Sequence, residues 1–164
     1  DEDEKYAQEC YDLVESLGVK DVEFTGRVNV RDYLGKMDFT LLTSISEGQP
    51  LTILESYAAH KPVITTDVGN CRELIYGNED GFGDAGILTH IMNIEEIAHA
   101  MVNMSINEEN RKRMGEAGYK RVNAFYRIDQ MKDVYREIYK GFSDSQNLSW
   151  TEEPFKISVH EKTM

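Results

Sequence analysis

The sequence predicts an α/β fold in which a parallel sheet carries helices on both faces. Short apolar segments typical of buried strands, at residues 38–43, 62–66 and 86–89, alternate with segments of helical periodicity. Connections of only a few residues favour right-handed crossovers, which place consecutive strands side by side and parallel. Residues 94–142 have helical periodicity throughout, so the C-terminal end of the fold is expected to be helical.

The first predicted elements are a helix at residues 4–17 and a short strand at residues 21–25. Apolar side chains recur every three or four positions in the helix, which indicates one core-facing side. Gly18 is a suitable end for it, because glycine readily adopts the left-handed backbone of a helix C-terminus. A brief helix at residues 30–36 then leads into the strand at residues 38–43.

The later elements follow the same alternation. A central helix is expected at residues 51–59, and residues 69–75 turn into a short helix. A loop rich in Gly and Asp at residues 77–86 precedes the last strand. The three C-terminal helices are expected at residues 94–104, 108–125 and 129–142. We expect core packing for their aromatic and aliphatic stripes, which comprise Tyr119, Val122, Phe125, Tyr126, Met131, Val134, Tyr135, Ile138 and Tyr139.

Length, charge and cysteine content restrict the classes of protein to consider. The chain has 164 residues, enough for one compact domain that buries roughly two-thirds of its unfolded surface. A net charge of -12 disfavours binding to nucleic acid or anionic lipid, because both depend on clustered Lys and Arg. The sequence shows no apolar run of membrane-spanning length and no signal peptide. Cys10 and Cys71 have no metal-ligand or redox spacing, so we expect reduced thiols and a cytoplasmic protein.

Two carboxylates, Glu47 and Glu55, lie on either side of a turn that opens the central helix. Pro50 favours a helix start, since its missing amide hydrogen costs nothing in the first turn. The free amides of Leu51 and Thr52 then point outward at the positive end of the helix dipole. Such a helix terminus, at the end of a buried parallel strand, is suited to a diphosphate.

The two carboxylates are placed to accept hydrogen bonds from hydroxyl groups on either side of that phosphate. Gly48 lets a ligand approach the main chain, and Glu47 precedes it. Glu55 lies further along the helix, and its side chain leans back toward the N-terminus, where it can accept from the two hydroxyls of a ribose. Because one carboxylate accepts two charge-assisted bonds from a vicinal diol, the pattern predicts a nucleotide sugar as ligand.

A structural role is the alternative for each of these residues. Glu47 could stabilise the helix start electrostatically, and Glu55 could be an ordinary exposed helix residue. Glu73 has the same two possible roles, ligand binding or a structural one, since a carboxylate in a first helical turn commonly stabilises the helix. No pair of histidines has a metal-ligand spacing with carboxylates, so no bound metal is expected.

Further motifs surround the two glutamates, which have seven residues between them. They are Leu-Glu at residues 54–55, Ala-Ala at 58–59, Pro-Val at 62–63, Asp-Val-Gly at 67–69 with Glu73 four residues on, Gly-Ile-Leu at 86–88, Thr-Gly-Arg-Val at 25–28 and Met-Gly-Glu-Ala-Gly at 114–118. Over about residues 4–142 the chain thereby resembles the donor-binding half of family 4 glycosyltransferases, the retaining enzymes of the GT-B fold. The segments at residues 42–47 and 49–51 resemble the Pel exopolysaccharide glycosyltransferase group.

The resemblance implies a domain organisation. Residues 1–142 would form the Rossmann-like, C-terminal nucleotide-sugar-binding domain, one half of a GT-B fold truncated at its N-terminal side, and residues 143–164 a polar tail. The acceptor-binding domain would be absent, together with the cations that neutralise the leaving diphosphate. The resemblance therefore implies that this chain alone is inactive.

The resemblance also implies roles for single residues. Donor sugar would contact Glu47, Gly48 and Gln49; diphosphate would contact Pro50, Leu51 and Thr52; ribose would contact Glu55; and the nucleobase would contact the main chain of Val28. The parent enzyme would transfer a hexose, from a donor like UDP-glucose, to a glycan or polysaccharide acceptor without a cofactor. A nucleotide-sugar epimerase of related fold and a non-catalytic nucleotide-sugar-binding or partner module are the alternatives.

Overall fold

A computed structural model describes residues 2–144 of the chain, with side chains from residue 4 to residue 142. The described residues form two compact units, which divide between Lys36 and Met37. Within the described residues, no helix has the length and apolar character needed to cross a membrane.

The first unit consists of two helices joined by irregular chain. Helix α1 spans Glu2–Ser16 and helix α2 spans Arg31–Leu34, as the periodicity predicts. Gly18 has a φ of 65° and its amide donates to the Glu15 carbonyl at 3.0 Å, which ends α1 as expected. The strand predicted at residues 21–25 does not form. A strand requires a hydrogen-bonded neighbour, and no described segment pairs with these residues.

The second unit contains a three-stranded parallel sheet in the order β1-β2-β3. The strands are β1 at Thr40–Leu42, β2 at Val63–Thr66 and β3 at Gly86–Thr89. In register, Leu41 lies beside Ile64, and Ile64 lies beside Ile87. Helix α3, Leu51–Ala58, connects the first two strands, and helix α4, Cys71–Tyr76, connects the last two. The predicted parallel α/β arrangement is confirmed.

Helices cover the sheet on both faces. Successive residues of a strand point to opposite faces, and β2 is buried along its whole length. Val63 packs in a cluster with Ile53 and Tyr57 of α3, whereas Ile64 packs on the other face with Ala100 and Met104. Full burial of a side chain such as Ile64 contributes about 1.5–3 kcal/mol to the free energy of folding. Three helices follow the sheet: α5 at Ile94–Ile106, α6 at Glu108–Phe125 and α7 at Ile128–Asp144.

Glycines allow α6 to lie directly against α3. A Cβ added to Gly118 would lie 2.7 Å from Cγ of the Tyr57 ring, and one added to Gly115 would lie 2.9 Å from the carbonyl carbon of His60. No larger residue fits at either position without displacement of one helix. The inner face of α3 is therefore held by both the sheet and α6.

A buried arginine ties the end of α4 to the following loop. Arg121 of α6 pairs with Asp80 at 2.6 Å, and both side chains are almost fully buried. The guanidinium also donates to the carbonyls of Leu74, Ile75 and Gly83. These hydrogen bonds replace the water that the buried guanidinium has lost, and without them its burial would destabilise the fold. The hydrogen bonds from Arg121 hold the pKa of Asp80 below its usual range, against the opposing effect of burial.

Among the described residues, the apolar side chains of α7 belong to neither buried cluster, which corrects the prediction made for them. Val122 of α6 is buried and Tyr126 is half-buried, but Tyr119 and Phe125 are 36% and 57% exposed. Along α7, Ile138 is partly buried, and the following residues are at least 50% exposed: Met131, Val134, Tyr135 and Tyr139. Helical periodicity shows that a helix has an apolar face, but not that the same chain supplies the surface that covers it.

The polar tail predicted from residue 143 begins inside α7, which continues to Asp144. The remainder of that predicted segment, residues 145–164, lies outside the described residues.

Candidate functional site

The candidate site lies at the carboxyl edge of the parallel sheet. Because the strands are parallel, the chain leaves β1 and β2 at the same edge, through residues 43–50 and residues 67–70. The amide of Asn70 donates to the Gly48 carbonyl at 2.8 Å, so the two loops are hydrogen bonded to each other. The predicted sugar, diphosphate and ribose contacts all belong to the first loop and to the helix that follows it.

Helix α3 begins abruptly after a buried proline. Pro50 has φ -71° and ψ 119°, an extended conformation, and is the N-cap rather than the first helical residue. Its side chain cannot cap the helix, and among the described residues the amides of Leu51 and Thr52 donate to no acceptor. Both residues are exposed. Two unpaired amides and the positive end of the helix dipole are thus available to an anion.

Gly48 leaves the approach to these amides open. A Cβ built on it would have no heavy atom within 4 Å outside its chain neighbours. Gln49, the next residue, is exposed as well. A ligand can therefore come close to the main chain at the point where the predicted sugar and diphosphate contacts meet.

Glu47 is held in place by a neighbour in the same loop. The Ser44 hydroxyl donates to Oε1 of Glu47 at 2.7 Å. Among the described residues no hydrogen bond or ion pair engages the second carboxylate oxygen, Oε2. Glu47 is half-buried. One of its oxygens is accordingly fixed by the protein, while the other can accept from a ligand.

Glu55 lies on the exposed face of α3. It is the fifth residue of that helix, about 6 Å along the axis from Leu51. Leu51 and Glu55 are four residues apart and both exposed, so they share one face, while Ile53, Ser56 and Tyr57 are buried. No described side chain pairs with the Glu55 carboxylate. It can therefore extend toward the same helix terminus that Glu47 precedes.

The inner face of α3 is anchored by polar as well as apolar contacts. Ser56 donates to the Thr52 carbonyl at 2.8 Å and accepts from the Thr40 hydroxyl at 2.9 Å. The Tyr57 hydroxyl donates to the Leu74 carbonyl at 2.9 Å. Burial raises the pKa of Tyr57 well above its usual range, so this hydroxyl stays neutral and keeps its proton.

Sequence reasoning missed the residues that shape the loop. The sequence alone predicts no role for Ser44 or Thr66, although the Thr66 hydroxyl donates to the Ser44 carbonyl at 2.5 Å. Gly69, with a φ of 51°, approaches the loop so closely that an added Cβ would lie 2.6 Å from the Gly48 carbonyl oxygen. The serine three residues before Glu47 is the one signal in the sequence that could have indicated such a contact.

Val28, the predicted nucleobase contact, lies in the first unit and is 40% exposed. It lies two residues after Gly26, which has a φ of 62°. Its predicted role stays a prediction.

A further pair of charged groups lies near the sheet edge. Arg72 forms an ion pair with Asp67 at the end of β2, which raises the pKa of Arg72 through the hydrogen bond and charge of that carboxylate. Within the side chains described, no three residues of the types His, Cys, Asp and Glu come together as a metal site. The expectation that the protein binds no metal stays a prediction.

Comparisons with known proteins agree on one family. The sequence profile described as Glycosyl transferases group 1 matches residues 3–121. An uncharacterised glycosyltransferase of Methanocaldococcus jannaschii is 30% identical over 141 residues, which cover 82% of this chain and 38% of that protein. The N-acetyl-alpha-D-glucosaminyl L-malate synthase of Bacillus anthracis is 32% identical over 129 residues, which cover 77% of this chain and 32% of the enzyme. The chain thus spans about a third of the length of these curated relatives.

A solved structure identifies the fold. The sucrose-phosphate synthase of Thermosynechococcus elongatus superposes with a TM-score of 0.70 at 22% identity, over 82% of this chain and 34% of that one. The parallel sheet with helices on both faces is a Rossmann-like half of the GT-B fold, as predicted. Since the family profile covers most of the chain, this protein belongs to the group 1 glycosyltransferases.

Proposed function

We propose that the chain is the donor-binding domain of a retaining glycosyltransferase that transfers a hexose from UDP-glucose to a glycan or polysaccharide acceptor. One observation carries the proposal. The start of α3 presents two unpaired amides beside an open glycine, with a carboxylate before the turn and another on the exposed face of the helix. A diphosphate between two hydroxyl-bearing sugars matches this order of donors and acceptors.

The diphosphate would bind at the helix terminus. The amides of Leu51 and Thr52 donate to phosphate oxygens, and Pro50 sets the direction in which the helix begins. Gly48 provides the space for the ligand to reach these amides. Such short-range hydrogen bonds operate in an acidic protein, because water and salt screen the more distant charges.

The two carboxylates would bind the groups on either side of the diphosphate. Glu47, with Gly48 and Gln49, accepts from hydroxyls of the donor hexose, and Glu55 accepts from the ribose. Val28 would contact the nucleobase through its main chain. This assignment gives the carboxylates a binding role, which differs from the acid and base pair that two carboxylates in a crevice usually suggest.

Turnover would need groups from outside this chain. The leaving diphosphate develops negative charge, and the α3 terminus alone offers only partial positive charge to it. We therefore expect the cations that stabilise the leaving group, and the acceptor site, to come from other parts of a longer parent protein. The same reasoning makes this chain inactive alone. Resemblance to the Pel group supports a polysaccharide product. The spacing of Cys10 and Cys71, which fits neither a metal site nor a redox motif, supports a cytoplasmic location.

A calorimetric titration of the full-length parent with UDP-glucose and GDP-mannose tests the proposal. We expect UDP-glucose to bind and Glu55→Ala to weaken that binding by about tenfold, the loss of one or two charge-assisted hydrogen bonds. Glu95→Ala is the matched control, since Glu95 is likewise an exposed helical glutamate but lies on α5. Unchanged affinity in Glu55→Ala would exclude the ribose role.

The product formed from UDP-glucose separates the alternative functions. A transferase passes glucose to an acceptor or to water, an epimerase returns a UDP-hexose of different configuration, and a binding module leaves the nucleotide sugar unchanged. Chromatography of the nucleotide and sugar products of the full-length protein therefore distinguishes all three.

A further inference from the structure

The orientation of the Glu47 carboxylate is set by a chain of two hydrogen bonds that starts in the core. The hydroxyl of Thr66, at the end of β2, donates to the Ser44 carbonyl at 2.5 Å, and Thr66 is only 1% exposed. The Ser44 hydroxyl in turn donates to Oε1 of Glu47 at 2.7 Å. A buried strand residue thus fixes the main chain of Ser44, and Ser44 fixes the carboxylate.

A glutamate needs such a constraint if it is to select one hydroxyl of a sugar. Its three side-chain torsions give it many rotamers, and the terminal torsion of the carboxylate is broad. A hydrogen bond to the ionised group is among the stronger kinds and favours one orientation. With Oε1 engaged by Ser44, the open oxygen Oε2 points in a direction that the protein determines, before a ligand arrives.

We propose that Ser44 is a positioning residue for donor selectivity. By holding Oε1 of Glu47, it leaves one carboxylate oxygen to accept from the donor hexose, so that a donor lacking the matching hydroxyl is rejected. The inference rests on the proposed function, in which Glu47 binds the hexose. It adds that Ser44, acting through Glu47, determines how strongly donors that differ in one hexose hydroxyl are distinguished.

The test uses the full-length protein with UDP-glucose and with analogues of UDP-glucose that each lack one hexose hydroxyl. In the wild type, we expect one analogue to lose much more kcat/KM than the others. In Ser44→Ala, we expect kcat/KM for UDP-glucose to fall about tenfold and the discrimination against that analogue to fall about fivefold or more. Ser44→Thr retains a hydroxyl and should recover most of the discrimination. The affinity for UDP, which has no hexose, should not change.

Two controls separate positioning from general damage to the loop. Ser46→Ala removes an exposed hydroxyl two residues away and should leave the discrimination as in the wild type. Ser44→Ala in a Glu47→Ala background should have no further effect on kcat/KM, because the group that Ser44 positions is already gone. Equal discrimination in Ser44→Ala and wild type, or an additive loss in the double variant, would overturn the proposal.

Crystal structures of the wild type and of Ser44→Ala supply a readout that requires no donor. We expect one Glu47 rotamer in the first and more than one in the second, and a single unchanged rotamer in both would overturn the positioning role. Failure of the proposed function itself would give a different experimental result. If the wild type neither binds nor turns over UDP-glucose, or if Glu47→Ala leaves kcat/KM unchanged, the donor role of Glu47 is wrong, and the role of Ser44 in selectivity is wrong with it.

Discussion

Gly69 packs against the main chain of Glu47 so closely that no side chain fits between them. A Cβ on Gly69 would lie 2.6 Å from the Gly48 carbonyl oxygen and closer still to that of Glu47. Its φ of 51° is also unfavourable for other residues. The turn after β2 therefore supports the loop that carries the first of the two candidate carboxylates.

Replacement of Gly69 should damage folding and donor binding together. In Gly69→Ala, the methyl group must displace the loop, and the left-handed backbone adds strain. We expect the free energy of unfolding to fall by about 1–3 kcal/mol and the affinity for UDP-glucose to weaken at least about tenfold. Denaturant titration and calorimetry of the full-length protein measure the two effects.

Gly48→Ala provides the matched comparison. A methyl group there meets open space, and Gly48 does not have a positive φ, so the free energy of unfolding should stay within about 0.5 kcal/mol of the wild type. UDP-glucose binding should still weaken, because the methyl group occupies the approach to the α3 amides. Wild-type stability in Gly69→Ala, or wild-type affinity in Gly48→Ala, would contradict this account of the loop.

Gly118→Ala should destabilise the chain by separating α6 from α3. The added methyl group would lie 2.7 Å from Cγ of Tyr57, which is fully buried and cannot move aside. Overpacking of this kind costs about 1–3 kcal/mol. Gly141→Ala is the control, because it is also helical but has open space around it, and alanine should stabilise that helix by about 0.5–1 kcal/mol. Thermal unfolding should therefore show a lower melting temperature for Gly118→Ala and a higher one for Gly141→Ala.

The Asp80 and Arg121 pair should make stability depend on pH in the acidic range. The pKa of Asp80 is lowered in the folded state, chiefly by the hydrogen bonds from Arg121, so the unfolded state takes up a proton first as the pH falls. The contribution of the pair to the free energy of unfolding is complete above the pKa of Asp80 in the unfolded state, about 4. It is lost as the pH falls through the lower pKa of Asp80 in the folded state. We expect Asp80→Asn to lower the melting temperature at pH 7 and the difference from the wild type to shrink below about pH 4.

Asp133→Asn is the control for that pH series. Asp133 pairs with Arg136 on the surface of α7, and the Asp133 side chain is 69% exposed. Such exposed ion pairs contribute little to the free energy of unfolding. A melting-temperature difference for Asp80→Asn that does not vary between pH 7 and pH 3 would contradict the linkage.

Two methionines should respond differently to the same substitution in this chain. Met104 of α5 is 1% exposed, and Met104→Ala should cost about 2–5 kcal/mol through the cavity that it leaves. Met131 of α7 is 50% exposed, and Met131→Ala should change the free energy of unfolding by less than about 0.5 kcal/mol. An equal loss of unfolding free energy in Met104→Ala and Met131→Ala, measured by denaturant titration, would show that the apolar face of α7 is buried.

Local sequence signals were sufficient for most elements, but not for contacts that depend on distant partners. The start of α3 follows from Pro50, and the strand at residues 63–66 from a continuous apolar and β-branched run. The segment at residues 21–25 also contains strand-forming residues, Val22 and Phe24, but a strand needs a neighbour as well, and no described segment pairs with it. The predicted core packing of the α7 stripe is wrong for a related reason, because amphipathicity does not identify the covering surface.

In the candidate site, too, the sequence predicts the local features but not the contacts between distant residues. The positions of Gly48, the α3 amides and Glu55 relative to the helix terminus follow from helix geometry, which is a local property. The contacts of Ser44 with Thr66, and of Gly69 with the Glu47 carbonyl, join residues that are more than twenty positions apart. They arise from the parallel register of β1 and β2, which no short motif encodes.

The close seating of α3 between the sheet and α6 has a thermodynamic consequence for ligand binding. Tyr57, Ser56 and Gly118 hold the helix in one position, so the two amides at its start are aligned before any anion arrives. The conformational entropy of arranging them is lost when the chain folds and not when the ligand binds. A diphosphate should therefore associate without a slow ordering step, and its affinity should vary little with substitutions in distant surface loops.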